Sequence, residues 1–189
     1  RVLGPLVGGR GAAATVALAE VAAEIDWATA RLIAPDRYEA AAAAAGRRSA
    51  RGPAEIAAIF ARYENEKRRR HVVDFDDVLA RCADLVARDP EFAAGQRWRF
   101  RHFFVDEFQD TTPLQLRLLR AWLDASSDLT VVGDPAQAIY GFTGADAAPL
   151  RAFDHTFPGS TTIVLEHNYR STPGVVALAG QAVHLQKAV

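Results

Sequence analysis

Residues 102–110 read HFFVDEFQD, from His102 to Asp110, and the fold class turns on how this stretch is taken. Phe103, Phe104 and Val105 are a short apolar run of β-favouring side chains, and Asp106 and Glu107 follow at once. Such a run fits a strand buried on both faces of a parallel sheet. Parallel sheets collect their ligands outside the carboxyl ends of the strands. The two acids are therefore expected at that edge, beside a phosphate chain and a hydrated Mg²⁺. Asp106 suits the ion, which favours oxygen ligands and keeps several waters. Glu107 suits orienting and deprotonating an attacking water. The competing reading is an acidic turn after a strand.

Two later stretches repeat the form. Leu129 to Val132 is apolar and ends in Gly133, Asp134 and then Gln137. Thr161 to Leu165 leads into Glu166-His167-Asn168-Tyr169-Arg170-Ser171. Asp134 and Gln137 also have the spacing of a capping box, so local capping competes with ligand sensing there. Thr112-Pro113-Leu114-Gln115 starts a helix after the first strand: Thr112 caps, Pro113 fits the first turn and Gln115 closes the box. Leu114, Leu118, Leu119, Trp122 and Leu123 share a face of that helix. A loop with Tyr140, Gly141, Phe142 and Gly144 precedes a short helix near Ala147 to His155, and Thr172-Pro173 opens a last helix. Strands alternating with helices predict an α/β class with a parallel sheet.

Upstream the pattern is helical. Residues 1–14 are rich in Gly and Ala and read as loop. Leu18, Val21, Ile25, Ala28 and Leu32 step by three and four, and Pro35 stops that helix. Asp36 to Ala45 is a second helix with Gly46 as its C-cap. Pro53 opens a third, with Ile56, Ile59, Phe60 and Tyr63 on one face and Arg62, Lys67, Arg68, Arg69 and Arg70 near its end. That basic cluster grips phosphates or is a solvated helix end favoured by the macrodipole. Asp74, Asp76 and Asp77 cap the next helix, whose apolar face is Phe75, Val78, Leu79, Cys82, Leu85 and Val86. Cys82 thus reads as core, and Asp89-Pro90 ends the helix.

The chain has 189 residues, half of them hydrophobic, with a net charge of -1, so a sizeable core is feasible and no global basic field announces nucleic acid. The single cysteine excludes an internal disulfide and fits a reducing, cytoplasmic compartment. No stretch is long and apolar enough to span a membrane. A phosphate-binding P-loop needs Gly-Lys before Ser or Thr. Lys67 follows Glu66 and Lys187 follows Gln186, so neither lysine makes one. Without methionine and beginning at Arg1, the sequence reads as a piece of a longer protein.

DEFQD, VVGDPAQAIYGFTGAD and LEHNYRST together resemble three consecutive signatures of the UvrD/Rep/PcrA-type DNA helicases of superfamily 1, in the family's order and at similar separations. VDFDDVL and WATARLIAPDRYEAA are also similar to this family, particularly to actinobacterial UvrD-like members. The resemblance implies a partial RecA-like P-loop NTPase sheet with an N-terminal all-helical subdomain. Residues 1–72 would be a helical accessory subdomain, 1B-like. Residues 73–167 would be the C-terminal half of a first motor domain, 1A-like, and 168–189 the start of a second, 2A-like.

By the same resemblance the cofactors are ATP and Mg²⁺. Asp106 would hold the metal, Glu107 would be the catalytic base and Gln137 would sense the γ-phosphate. Tyr169 would stack on adenine, and Arg170 would stabilise γ-phosphate charge. Tyr140 and Phe142 would meet single-stranded DNA. The expected partners are single-stranded DNA and its junctions with duplex, engaged by a protein that moves along DNA and unwinds duplex in repair or replication, the fragment itself being a monomer. Thr143 departs from the family's arginine (FTGA for FRGA) and puts DNA coupling through that loop in question. Packed aromatics at 140, 142 and 169, and an Arg170–Glu166 pair, are the plain alternatives. A nucleotide-independent DNA-binding module on a degenerate core, or the helicase part of a RecB-like helicase–nuclease, are the other functional readings.

Overall fold

The structure, a computed structural model, describes residues 2–9, 11–124 and 128–187, with side chains through residue 182. A short helix, α1 (Gly4–Val7), leads into α2 (Ala12–Ala30). Val7 is buried against the helices that follow, so the expected loop over 1–14 is only partly a loop. α2 stops well before Pro35. Leu32 adopts a left-handed conformation, the Ile33 N–H donates to Ala28 O (2.8 Å) and the Leu32 N–H donates to Thr29 O (3.0 Å). That pair of bonds is a Schellman ending, which needs no proline. A 3-10 turn at Pro35–Arg37 enters α3 (Tyr38–Ala44), which closes the same way through Gly46. α4 (Pro53–Arg70) follows, and Val21, Ile25, Trp27, Tyr38, Ile56, Ile59 and Phe60 form the core of this helical region.

α5 (Phe75–Arg88) starts at a full capping box. The Asp77 N–H donates to Asp74 Oδ1 (2.8 Å), and the Asp74 N–H donates to Asp77 Oδ2 (3.1 Å). The capping role read for these acids holds, with an unforeseen addition. Lys67, 3% exposed, donates to Asp74 Oδ2 (2.7 Å) and Asp77 Oδ2 (2.8 Å) and pairs with Glu64 (2.9 Å). One member of the expected basic cluster is thus a buried clamp between α4 and α5, while Arg69 and Arg70 pair with Glu66 on the surface.

Cys82 is exposed, against the core reading. α5 packs against α7, its buried residues are Ala83 and Val86, and the stripe Phe75, Val78, Cys82 and Leu85 faces outward. Asp89 does end α5, but it also caps α6 (Pro90–Arg99), a helix the sequence reading omitted.

Strand β1 (Phe103–Val105) pairs in parallel with β2 (Leu129–Val131), with Phe103 opposite Leu129 and Val105 opposite Val131. The connection runs through α7 (Pro113–Leu123), whose capping box at Thr112 and Gln115 forms as expected. One sheet face, with Phe103, Val105, Leu129 and Val131, packs on Phe108, Leu119 and Leu123. The other face is open: Phe104 is 80% exposed. The expectation of burial on both faces is therefore corrected to burial on one.

The third expected strand does not form. Residues 161–168 run without helix or strand, and Ile163, Val164 and Leu165 are exposed. A strand's backbone needs a neighbour's ladder, and the described sheet holds only β1 and β2. Two short helices, α8 (Ala148–Arg151) and α9 (Phe153–Thr156), stand where one was expected, and α10 (Pro173–Lys187) opens at Thr172-Pro173 as read. The architecture is mostly helical with a small parallel sheet, compatible with the α/β class. Among the described residues no helix is long and apolar enough to cross a membrane.

Candidate functional site

The two strands end side by side, and their polar residues meet there. After β1 the chain reverses at Glu107, which holds φ 50 and ψ 44, a left-handed conformation unusual for a residue with a side chain. Three contacts hold it. Phe108 is buried in the core, the Phe108 N–H donates to Val132 O (3.0 Å), and the Val132 N–H donates to Val105 O (2.8 Å). The turn sends Phe108 inward and leaves Asp106 and Glu107 exposed at the sheet's edge.

Gln109, 1% exposed, joins the strand ends. Its Nε2 donates to Glu107 Oε2 (2.6 Å), and its Oε1 accepts the Asp134 N–H (3.0 Å). Gly133 makes room for this bridge. A Cβ at 133 would lie 2.6 Å from Gln109 Oε1 and 3.2 Å from Phe108 N. Asp134 in turn accepts from the Ala136 N–H (2.9 Å) and from Gln137 Nε2 (2.9 Å). Glu107, Gln109, Asp134 and Gln137 are thus one hydrogen-bonded chain. Asp134 thus caps the turn, though not as the capping box its spacing with Gln137 suggested: the Gln137 N–H goes to Asp134 O (3.0 Å), and the Asp134 carboxylate fixes where the Gln137 amide lies.

Asp106 Oδ1 accepts the Glu107 N–H (2.9 Å). Its other oxygen has no protein partner among the described residues. An exposed carboxylate oxygen at a strand end fits an ion held by one or two carboxylates, its waters and a phosphate chain. Among the described residues no group of three or more His, Cys, Asp or Glu converges as a metal cage.

The aromatic loop forms a second cluster. Tyr140 and Phe142 are exposed, with ring centroids 6.1 Å apart. They are not core. The loop closes on Gly144, at φ 105, where a Cβ would lie 2.7 Å from Ala30 Cβ. Only glycine meets both demands. Two arginines of the helical region tie the loop down. Arg31 Nη1 donates to Ala145 O (3.2 Å) and its guanidinium pairs with Asp146 (3.5 Å). Arg47 Nη1 donates to Phe142 O (3.4 Å). Arg47 is itself held by buried Glu24, through Nε and Nη2 at 2.8 Å each, and lies 4.4 Å from the Trp27 ring centroid. Burial pushes the Glu24 carboxyl up, but the Arg47 and Tyr38 hydrogen bonds outweigh it and hold the group below its ordinary value.

Tyr169 is exposed and stacks on His167, with centroids 6.2 Å apart. The Arg170 N–H donates to Asn168 Oδ1 (3.0 Å). Among the described residues no hydrogen bond or ion pair joins Tyr169 or the Arg170 side chain to the strand-end group, and no Arg170–Glu166 pair forms. The structure brings together Asp106, Glu107 and Gln137, and separately Tyr140 and Phe142. The sequence alone assigned no role to Gln109, Gly133, Arg31 and Arg47. The first two stand within the quoted motifs. The arginines lie about a hundred residues from the loop they hold and left no local signal.

Residues 12–158 match the family model described as the UvrD/REP helicase N-terminal domain. The chain is similar to "ATP-dependent DNA helicase UvrD2" of Mycobacterium tuberculosis, 45% identical over 174 residues, which is 90% of this chain and 25% of that protein. It is similar to "ATP-dependent DNA helicase UvrD1" of Mycobacterium leprae, 33% identical over 138 residues, 68% of this chain and 18% of that protein. "ATP-dependent DNA helicase PcrA" of Staphylococcus aureus is 34% identical over 128 residues, again 68% and 18%. The chain spans a quarter or less of the length of these relatives. With the family model covering most of its residues, strand-end acids and aromatic loop included, the chain belongs to the UvrD/REP helicase family.

Proposed function

We propose that the chain is the central part of an ATP-dependent DNA helicase or translocase, whose strand ends serve ATP hydrolysis and whose aromatic loop serves single-stranded DNA. Residues 1–72 are read as the helical accessory subdomain, 73–167 as the C-terminal half of a RecA-like motor domain, and 168–189 as the start of a second. The observation that carries the reading is the hydrogen-bonded chain from Glu107 through Gln109 and Asp134 to Gln137. It ties the acid that would act on water to the amide that would sense a phosphate.

In this reading Asp106 holds Mg²⁺, which when bound with ATP neutralises charge on the phosphates. Glu107, oriented by Gln109, accepts a proton from the attacking water. Gln137, held by Asp134, registers whether the γ-phosphate is present, and its shift is passed to the loop that begins three residues later. Tyr169 packs on adenine, and Arg170 offsets charge on the γ-phosphate once the two motor domains close. Tyr140 and Phe142 grip and release bases, a sequence-tolerant contact worth roughly 1–3 kcal/mol per base.

The test is Glu107→Gln in a helicase of the relatives' length that carries this segment. Nucleotide binding is expected to persist while DNA-stimulated hydrolysis disappears. Near-normal turnover would remove Glu107 from the base role. Residues 1–189 alone, without Gly-Lys-Ser/Thr, are expected to show no DNA-stimulated hydrolysis, and robust turnover by them would overturn the proposed division of labour.

A further inference from the structure

A polar cleft of about 510 Å³ opens between the helical region and the aromatic loop. Arg31, Arg47 and Arg48 line it, with Trp27, Gly141 and Phe142. The loop brings no cation of its own, because residues 140–145 read YGFTGA and the Thr143 hydroxyl donates back to Tyr140 O (2.8 Å). All positive charge beside Phe142 therefore comes from the helical region.

Three guanidiniums face two carboxylates, Glu24 on Arg47 and Asp146 on Arg31. Arg48 is exposed and makes no ion pair among the described residues. A guanidinium has five N–H donors. Arg47 spends three on Glu24 and Phe142 O, and Arg31 spends two on Ala145 O and Asp146. The cleft is left with net positive charge and unspent donors on groups already fixed in place, next to an exposed ring.

We propose that this cleft is a phosphate subsite for single-stranded DNA. Arg48 and the spare N–H edges of Arg31 and Arg47 hold a backbone phosphate, and the adjoining base stacks on Phe142. The site rests on the reading of Phe142 as a base-stacking ring, and deepens it. Holding phosphate from the helical region would make the strand itself part of the link between that region and the loop.

The experiment measures binding of a fluorescein-labelled oligothymidylate to the chain across a salt series. Each phosphate contact adds about 0.7 to the slope of log affinity against log salt for a single strand. Arg48→Gln is expected to flatten the slope by about 0.7 and to weaken binding about five-fold at 0.1 M salt, while Arg48→Lys keeps most of both. Arg31→Gln is expected to act alike. Arg47→Gln alone would strand buried Glu24, so Arg47 is tested as the Glu24→Gln, Arg47→Gln pair, with folding checked by thermal melting. Arg70→Gln, on the exposed end of α4, is expected to leave the slope unchanged. If Phe142→Ala weakens binding while the arginine variants keep the wild-type affinity and slope, the phosphate subsite is overturned and the stacking reading stands. If Phe142→Ala is silent too, or the unaltered chain does not bind, both fall.

Discussion

Trp27, Tyr38, Ile56 and Phe60 of the helical region are at most 3% exposed, whereas Phe75, Phe104 and Ile163 to Leu165 are 75–90% exposed. The helical region closes a core on itself and seals it with the Glu24–Arg47–Tyr38 network. The strand-bearing region packs one sheet face and leaves the other bare. Phe104 on the open sheet face, Phe75 on α5 and Ile163 to Leu165 stay in solvent instead. The difference separates two jobs: the first region supplies a rigid support, and the second carries the strand-end chemistry on a sheet whose packing is only half made.

The largest test of that contrast pairs Phe60→Ala with Phe104→Ser. Phe60→Ala opens a cavity in a closed core and is expected to cost about 3–5 kcal/mol in urea unfolding. Phe104→Ser is expected to change stability by less than about 0.5 kcal/mol and to raise solubility. Similar costs for the two would mean that the open sheet face is covered in solution.

Lys67 sharpens the contrast from the joint between the regions. Lys67→Met leaves Asp74 and Asp77 without their cation and is expected to cost about 3 kcal/mol, the low end for a broken buried pair because both carboxylates keep some solvent. The pH dependence follows. Burial pushes Asp74 up, but the Lys67 bond and the Asp77 N–H prevail and hold it below its ordinary 3.8. Its contribution is complete above 3.8 and fades as pH falls through the lower folded value. Burial pushes Lys67 down, but its three acids prevail and raise it above 10.5, so its contribution fades only as pH climbs past the folded value. Nearby Asp26 and Asp76 are raised, by burial and then by the charge of Asp74, and act in the opposite sense on the acid side. The gap between wild type and Lys67→Met should be widest near neutrality and close at both extremes. A gap that ignores pH would mean that Lys67 serves as packing, not as charge.

Gly133→Ala moves the test to the strand ends. The added methyl would meet Gln109 Oε1 and Phe108 N, so overpacking is expected to cost about 2 kcal/mol. The same change at Gly174, where an added Cβ meets nothing within 4 Å, is expected to leave stability nearly unaltered.

How far the sequence announced these features depends on whether their cause is local. The helix starts at Thr112 and Asp74 and the stop at Gly46 were legible, because a cap is satisfied within three or four residues. Asp106, Glu107 and Gln137 were legible as strand-end polar groups, since apolar runs ending in acids are visible without coordinates. Cys82 was misplaced because α5 carries a wider apolar face than α7 covers, and periodicity does not say which half of a face is used. Residues 161–165 look like a strand by composition, but a ladder needs a partner and no single segment reports one. The bonds from Arg31 and Arg47 to the aromatic loop span about a hundred residues, and nothing in the local pattern points along them.

The smallest expected effect falls on the bridge between the strand ends. Gln109→Leu keeps a buried side chain of similar volume but removes the acceptor of the Asp134 N–H and the donor to Glu107. Because the Asp134 N–H lies near the sheet's edge, water can partly replace the lost acceptor, and the cost is expected to be about 1 kcal/mol. Stability alone would not single out the bridge, so the informative readout is amide exchange. The Asp134 N–H should exchange faster in Gln109→Leu, while the Phe108 N–H, bonded to Val132 O on the ladder side, should keep its protection. Unchanged exchange at Asp134 would show that the strand ends are not joined through Gln109 in solution. Glu107 would then keep its left-handed turn from the burial of Phe108 and the backbone bonds of Phe108 and Val132, and the Glu107 and Asp134 side chains would be free to move apart.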